Sequence, residues 1–195
     1  MVARAEPGRS GSDRRTAIAD AAIDLLAEGG TRALTHRMVD RRLGIPEGST
    51  STYHRTRKEL VHAAAARVME RELEAIAATS SGLPSDAGAV DIITALVLEA
   101  TSPERRSQTL ARYILFTEAA NNEDLRDALR INSGVAFREA TVRLLELAGA
   151  RDPEHSAPAL STFINGLVLG QLVFPDAVLS GDDLRRAIAQ FLESC

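Results

Sequence analysis

Residues 34–60 carry the sequence LTHRMVDRRLGIPEGSTSTYHRTRKEL, whose pattern is that of two helices joined by a tight turn. Thr35 can cap the first helix, because its hydroxyl can accept from backbone N–H groups that lack a helical partner. Gly44 predicts the end of that helix, since glycine tolerates the positive φ of a tight reversal. Pro46 suits the first turn of the next helix, where its missing N–H would have no partner. The first helix has an apolar side formed by Met38, Val39 and Leu43.

The second helix, predicted over residues 47–54, is rich in hydroxyl groups and poor in aliphatic side chains. Such a helix can bury little against its own domain and is suited to a polar partner. Hydroxyl groups can bond phosphates or base edges, and threonine methyl groups can contact thymine methyl groups in a major groove. Arg55, Arg57 and Lys58 follow directly, where they can neutralise phosphates. The order of helix, glycine turn, hydroxyl-rich helix and basic cluster predicts a DNA-binding helix-turn-helix.

A dozen residues carry a more specific resemblance: Gly30, Leu34, Thr35, Val39, Gly44, Ile45, Gly48, Ser49, Thr50, Ser51, Tyr53 and Leu60. With the helix before it, this stretch resembles the DNA-binding domain of the TetR family of bacterial transcriptional repressors. Three positions depart from the family pattern, which often has Ser or Thr at Pro46, Lys at Glu47 and Phe at His54. The length and helical remainder of the chain also fit that family.

The residues predicted to lie against DNA are Thr35, His36, Arg37, Gly48, Ser49, Thr50, Ser51, Thr52, Tyr53, His54, Arg57 and Lys58. Within this set, the residues from Ser49 to Thr52 are expected to reach base edges and the others to contact phosphates.

The composition predicts an all-α protein. The chain has 195 residues, 45% of them hydrophobic and only 4% aromatic. Ala, Leu and Arg are abundant, and alternating β-branched residues are few. Cys195 is the single cysteine, so no intramolecular disulfide can form and a reducing cytoplasm is expected. No signal peptide is expected in residues 1–12, which lack an apolar core, and the uncharged run 156–175 is interpreted as a buried helix of a soluble protein rather than a membrane span.

The net charge of −4 is unevenly distributed. Residues 1–60 hold 11 Lys and Arg against 8 Asp and Glu, whereas residues 61–195 hold 12 against 19. A basic N-terminal part on an acidic body would direct the molecule toward DNA by one end.

The domain organisation follows from the breaks between helical patterns. Residues 1–12 are expected to form a disordered basic arm, which either lies along DNA through its arginines or acts as a solubilising tail. Residues 13–60 are expected to form the three-helix helix-turn-helix domain, and residues 61–195 a helical ligand-binding and dimerisation domain. Helices are predicted over residues 13–28, where Ser12 or Asp13 is the cap, and over 57–78, 89–100, 103–119, 123–148, 154–173 and 182–193, with a loop over 80–88.

The family resemblance implies a small-molecule cavity inside the helical body. Its candidate lining residues are Leu73, Ile76, Leu96, Arg112, Tyr113, Phe116, Glu118, Phe137, Asn165 and Leu169. Arg112, Glu118 and Asn165 interrupt apolar stretches, and a buried polar group is costly unless it meets a partner or a ligand. The expected ligand is a mostly hydrophobic molecule with one or two polar groups.

Two stripes near the C-terminus suggest a homodimer. Thr162, Gly166 and Gly170 recur every four residues and would let another helix approach closely, while Leu184, Ile188 and Phe191 offer an apolar partner stripe. Two such hairpins would form a four-helix bundle across a two-fold axis, as the resemblance implies. The alternative is that these stripes only close the core of one protomer.

The sequence contains no nucleophile elbow, phosphate loop or paired carboxylates, and its four histidines have no metal-ligand spacing. We therefore expect no catalytic site, no metal and no cofactor. The expected function is that of a cytoplasmic homodimeric repressor that binds a palindromic operator in double-stranded DNA and is released by a small-molecule effector. Two alternatives remain: a ligand-independent or architectural DNA-binding protein, and a helical scaffold or enzyme with a vestigial helix-turn-helix.

Overall fold

A computed structural model describes residues 11–174 and 179–195, apart from the side chains of residues 131–133. The regular structure of these described residues is entirely helical, as predicted. The first four helices are α1 (Gly11–Ala33), α2 (His36–Leu43), α3 (Ser49–Tyr53) and α4 (Arg57–Gly82). The remaining helices of the described part are α5 (Ala89–Ala100), α6 (Arg106–Ala119), α7 (Glu123–Ala148), α8 (Pro153–Val173) and α9 (Gly181–Glu193).

Local signals placed several helix ends correctly. The Thr35 hydroxyl accepts from the Met38 N–H at 3.3 Å and caps α2, whose C-cap Gly44 has a φ of 62°. The predicted break after residue 28 is confirmed by non-helical backbone at Gly29 and Gly30, although α1 resumes for one more turn. The first turn of α1 already includes Gly11, so the predicted arm is too long at its end. The rest of that arm, residues 1–10, lies outside the described residues.

Three predicted boundaries were wrong. Helix α4 continues through Gly82, and the Ser81 hydroxyl donates to the Ala77 carbonyl within its last turns. The connecting loop is therefore residues 83–88. Helix α6 begins at Arg106 rather than at Pro103, since residues 101–105 form turns. Helix α3 is shorter than predicted, because Pro46 and Glu47 belong to the turn that precedes it.

One cluster of buried residues joins the N-terminal helices to the body. Ile18, Ala22, Leu25 and Leu26 of α1 are buried and pack with residues of α2 and α4. Ala111, Leu115 and Ala119 of α6, with Leu125 and Leu129 of α7, complete the same cluster. The helix-turn-helix part therefore packs against α6 and α7 as well as against α4.

A second cluster lies among α5, α7, α8 and α9. Leu184 and Ile188 are both fully buried in it, so the prediction that they face a partner protomer is wrong: they close the core of their own chain. Phe191 is partly buried, and its ring stacks on Phe163 with centroids 4.3 Å apart.

Helix α8 is apolar along its length but buried on one side only. By length and composition alone it could cross a membrane, and 28% of its most hydrophobic window is buried within the protomer, so the predicted burial holds for one side of the helix only. The exposed side carries Thr162, Gly166, Leu169 and Val173. A side chain added at Gly166 or Gly170 would meet no atom of the protomer within 4 Å.

Candidate nucleic-acid interface and ligand cavity

Helix α3 is held at its start by Asp40 of α2. The Asp40 carboxylate is 1% exposed and accepts from the Gly48 N–H at 2.7 Å, the Thr50 N–H at 2.8 Å and the Thr50 hydroxyl at 2.6 Å. Although burial acts to raise the pKa of Asp40, these hydrogen bonds lower it overall and keep the group ionised. A five-residue helix cannot stand alone, so this carboxylate supplies the cap that Gly48 lacks.

The end of α3 is held by a second residue of α2. The His36 Nε2 lies 2.7 Å from the His54 carbonyl oxygen, so its N–H donates to the residue that caps α3. Tyr53 packs against the first core cluster, with the Arg15 guanidinium 5.7 Å from its ring centroid. Both ends of α3 are therefore tied to the helix before it.

The structure divides the predicted DNA-contacting residues into outward and inward groups. The outward side presents exposed Thr35, Arg37, Gly48, Ser51, Thr52, Arg57 and Lys58. Ser49 is half-buried and donates its hydroxyl to the Pro46 carbonyl. The prediction that Thr50 reaches base edges was wrong, because its side chain is fully buried and bonded to Asp40.

His54 also points toward the protein rather than away from it. It is half-buried, and its Nε2 has no hydrogen-bond partner among the described residues. Burial and the nearby Arg15 guanidinium lower the pKa of His54, so the neutral ring is favoured. The half-buried ring is therefore directed toward the protein rather than toward the outward side of α3, at a position where the TetR pattern commonly has Phe.

The basic residues beside α3 have protein partners in the free chain. Arg37 donates to Glu47 at 3.0 Å, and each of these side chains is 64% exposed. Lys58 forms an ion pair with Asp124 of α7 at 2.5 Å, and Arg57 donates to the Thr31 carbonyl. Exposed pairs of this kind contribute little stability, so phosphates can replace these partners.

The body encloses a cavity of about 110 Å³ between α4, α5, α6, α7 and α8. Predicted lining residues that do line it are Ile76, Leu96, Arg112, Phe137 and Asn165. An open groove of about 470 Å³ adjoins the cavity, and the two share Arg112, Phe137, Ser161 and Asn165 as a common wall. A ligand entering through the groove would meet this wall first.

The common wall is organised around Arg112, which is 7% exposed. Its Nη1 donates to Glu72 at 3.1 Å, and its Nη2 donates to the Tyr113 hydroxyl at 3.1 Å. Tyr113 in turn donates to the Asn165 carbonyl at 2.8 Å, and its burial raises the pKa of its hydroxyl. The guanidinium also lies over the Tyr113 and Phe116 rings, 4.8 and 5.6 Å from their centroids.

Other predicted ligand residues lie elsewhere. Glu118 is exposed, and its carboxylate accepts from the Thr31 hydroxyl at 3.4 Å, so placing it in the cavity was wrong. Leu169, 42% exposed, belongs to the outer side of α8. Phe116 lines the groove, Leu73 lines a separate depression between α4 and α7, and Tyr113 supports Arg112 from behind.

Sequence reasoning missed Asp40 and Glu72, the two buried carboxylates that orient the site. On the buried side of each helix, the other residues are apolar and the carboxylate is the only acidic group. A single acidic residue among apolar ones is the sequence signal that could have revealed both. Among the described residues, no group of three His, Cys, Asp or Glu side chains could hold a metal ion.

Fold and site together define a helix-turn-helix DNA-binding protein with a helical body that contains a cavity. The family profile described as tetracyclin repressor-like, C-terminal domain, matches residues 84–194. The chain belongs to the TetR family of transcriptional regulators.

Solved structures agree with this assignment. A member of the TetR family from Streptomyces coelicolor is 24% identical with a TM-score of 0.73, and the match covers 92% of this chain and 98% of that one. The multidrug binding protein EbrR complexed with proflavin is 25% identical with a TM-score of 0.64, covering 91% and 99%. A transcriptional regulator from Rhodococcus is 19% identical with a TM-score of 0.73, covering 92% and 94%. No curated protein matches the chain.

Proposed function

We propose that this protein is a cytoplasmic homodimeric repressor that binds a palindromic operator and is released by a small molecule. The observation that carries the proposal is the outward side of α3, where exposed Ser51 and Thr52 stand on a helix fixed at both ends by α2. We assign base contacts to these two residues and phosphate contacts to Thr35, Arg37, Arg57 and Lys58.

The proposed dimer uses the exposed side of α8. Gly166 and Gly170 leave open space above the helix, and Leu169 and Val173 flank them, so a partner helix can pack closely there. A dimer would present two copies of α3 to half-sites separated by about 34–36 Å or a multiple of that spacing.

The proposed release is a shift of population between two spacings of the DNA-binding parts. A ligand in the body can favour release only by binding better to the spacing that does not fit the operator. EbrR, which has been solved with proflavin, supports ligand binding in a body of this fold.

The test is an electrophoretic mobility shift with the DNA that flanks the protein's own coding region, or a consensus selected from random duplexes. We expect a retarded protein–DNA species at nanomolar to micromolar protein concentrations. This species should persist in the presence of unrelated competitor DNA. Failure to select any consensus would refute the proposal. A Ser51→Ala/Thr52→Ala variant should lose preference for the selected sequence while keeping its residual non-specific binding.

A further inference from the structure

We propose that the ligand of the body is an amphipathic anion, a small molecule with a carboxylate-type head and an apolar tail. This inference rests on the proposed function of the cavity and names the chemical class that the cavity takes. It is carried by the charges along the open groove and by the unused donors of Arg112.

The groove is apolar with a basic border. Its walls include Met69, Phe116, Leu129 and Phe137, which suit a hydrocarbon chain. Three arginines also line it, Arg112, Arg126 and Arg130, and none of its described lining residues is acidic. Because Glu72 balances Arg112 from behind, the net positive charge of the groove comes from Arg126 and Arg130.

Arg112 has donors to spare where the groove meets the inner cavity. A guanidinium carries five N–H groups. In Arg112, one N–H donates to Glu72 and another donates to Tyr113. The Nε of Arg112 has no hydrogen-bond partner among the described residues. With 7% of Arg112 exposed, little of its guanidinium is open to bulk water, and the residue lines both the groove and the cavity. An acceptor-rich head group in the groove would accept from its remaining N–H groups, at the strength of a charge-assisted hydrogen bond.

The tail lies along the apolar walls of the groove, and its end extends into the inner cavity. Ala75, Ile76, Leu96, Leu144 and Val168 belong to the apolar wall of that cavity. Two acidic residues, Glu72 and Glu99, also line it, but each faces an arginine, at 3.1 and 3.8 Å, so its ionic groups are balanced. The competing occupant is a cation drawn by these two carboxylates, and the experiment separates the two.

The experiment measures binding of three matched probes to the full-length protein by isothermal titration calorimetry: octanoate, octylammonium and 1-octanol. We expect octanoate to bind about tenfold or more tightly than octylammonium, the ratio that one charge-assisted hydrogen bond gives. Hexanoate should bind more weakly than octanoate by about fourfold for each missing methylene. Tighter binding of octylammonium, or no detectable binding of octanoate, would overturn the proposal.

Matched variants locate the head group. Arg130→Gln should weaken octanoate binding by about threefold and leave 1-octanol unchanged. Arg112→Gln with Glu72→Gln, which leaves no unpaired carboxylate, should weaken it by about tenfold. The control is Arg143→Gln, because Arg143 lies on α7 like Arg130 but does not line the groove. This variant should bind octanoate as the unmodified protein does. Equal weakening of octanoate and 1-octanol by Arg130→Gln would refute a head group at the arginines.

Operator binding is measured on the same samples, so the two proposals fail separately. Octanoate binding without any operator binding would leave the ligand class standing and refute the repressor function. Operator binding with a preference for octylammonium would support the repressor function and refute the anionic ligand class.

Discussion

The carboxylate of Asp40 accepts three hydrogen bonds from the start of α3, and its removal would leave the two buried donors of Thr50 and the Gly48 N–H without this acceptor. We expect Asp40→Ala to lower the free energy of unfolding by about 2–3 kcal/mol and to abolish operator binding. Urea denaturation measures the loss, and Asp86→Ala, which removes an exposed loop carboxylate, should change stability by less than about 0.5 kcal/mol. A stable Asp40→Ala variant with full operator affinity would show that α3 needs no anchor.

The imidazole of His54 makes folding sensitive to pH. Because its pKa is lowered in the folded protein, the unfolded chain binds this proton at higher pH than the folded chain does. Stability contributed by neutral His54 is therefore lost as the pH falls below about 6.5. We expect His54→Phe to reduce the loss of stability between pH 7 and pH 5, measured by urea denaturation at each pH. His155→Gln, at an exposed position, should leave that loss unchanged.

Arg57 and Lys58 can exchange their protein partners for phosphates. We expect Arg57→Ala with Lys58→Ala to weaken binding to all duplexes and to reduce the slope of log K against log salt by about 2, which is about 0.9 for each phosphate contact. Fluorescence anisotropy over a salt series measures the slope. Arg143→Ala with Arg151→Ala removes the same charge from the body and should preserve it. An unchanged slope in the first variant would remove both residues from the interface.

Helix α8 offers the most direct test of dimer formation. Gly166 faces open space in the protomer, so a larger side chain costs nothing there, and replacing a helical glycine even favours the helix by about 0.5–1 kcal/mol. We expect Gly166→Gln to raise the dimer dissociation constant by tenfold or more, about 1.4 kcal/mol, without loss of helicity. Sedimentation velocity measures the constant, with Gly82→Gln as the control at another unobstructed helical glycine. A dimer of unchanged affinity would place the interface elsewhere.

Helix ends and helix faces differ in how far the sequence predicts them. Thr35 and Gly44 were identified from sequence because capping depends on residues within one turn. The Asp40 to Thr50 contact was not predicted, since it depends on how two helices cross. Leu184 and Ile188 were correctly seen as an apolar stripe, yet periodicity does not say whether a stripe meets its own chain or a partner. Glu118 was misplaced because its position inside an apolar stretch does not say which side of α6 it occupies.

The first core cluster joins the DNA-binding part to the body through α6 and α7. We expect Leu115→Ala to lower the free energy of unfolding by about 2–4 kcal/mol and to destabilise both parts together, because Leu115 is fully buried in that shared cluster. The two tyrosines can report separately, with Tyr113→Phe leaving Tyr53 as the reporter of the N-terminal part and Tyr53→Phe leaving Tyr113 for the body.

Coincident urea transitions of the two tyrosine reporters, both shifted by Leu115→Ala, would establish one cooperative unit. The control is Phe116→Leu, at a neighbouring position of α6 that is 36% exposed, and it should shift both transitions by less than about 1.5 kcal/mol. Separate transitions would instead support a domain boundary near residue 60, and a ligand in the body would then need another route to the DNA-binding part.

Because α3 is anchored through backbone amides and the Thr50 side chain, the residues that hold the helix differ from those on its outward side. Thr50 and the residues of α2 hold the helix, whereas the side chains of Ser51 and Thr52 are exposed and take no part in these anchoring contacts. Positions 51 and 52 are therefore free to diverge between relatives or to be randomised in a library. Retargeting this protein to a new DNA sequence should require changes at these outward positions only, with the scaffold left as it is.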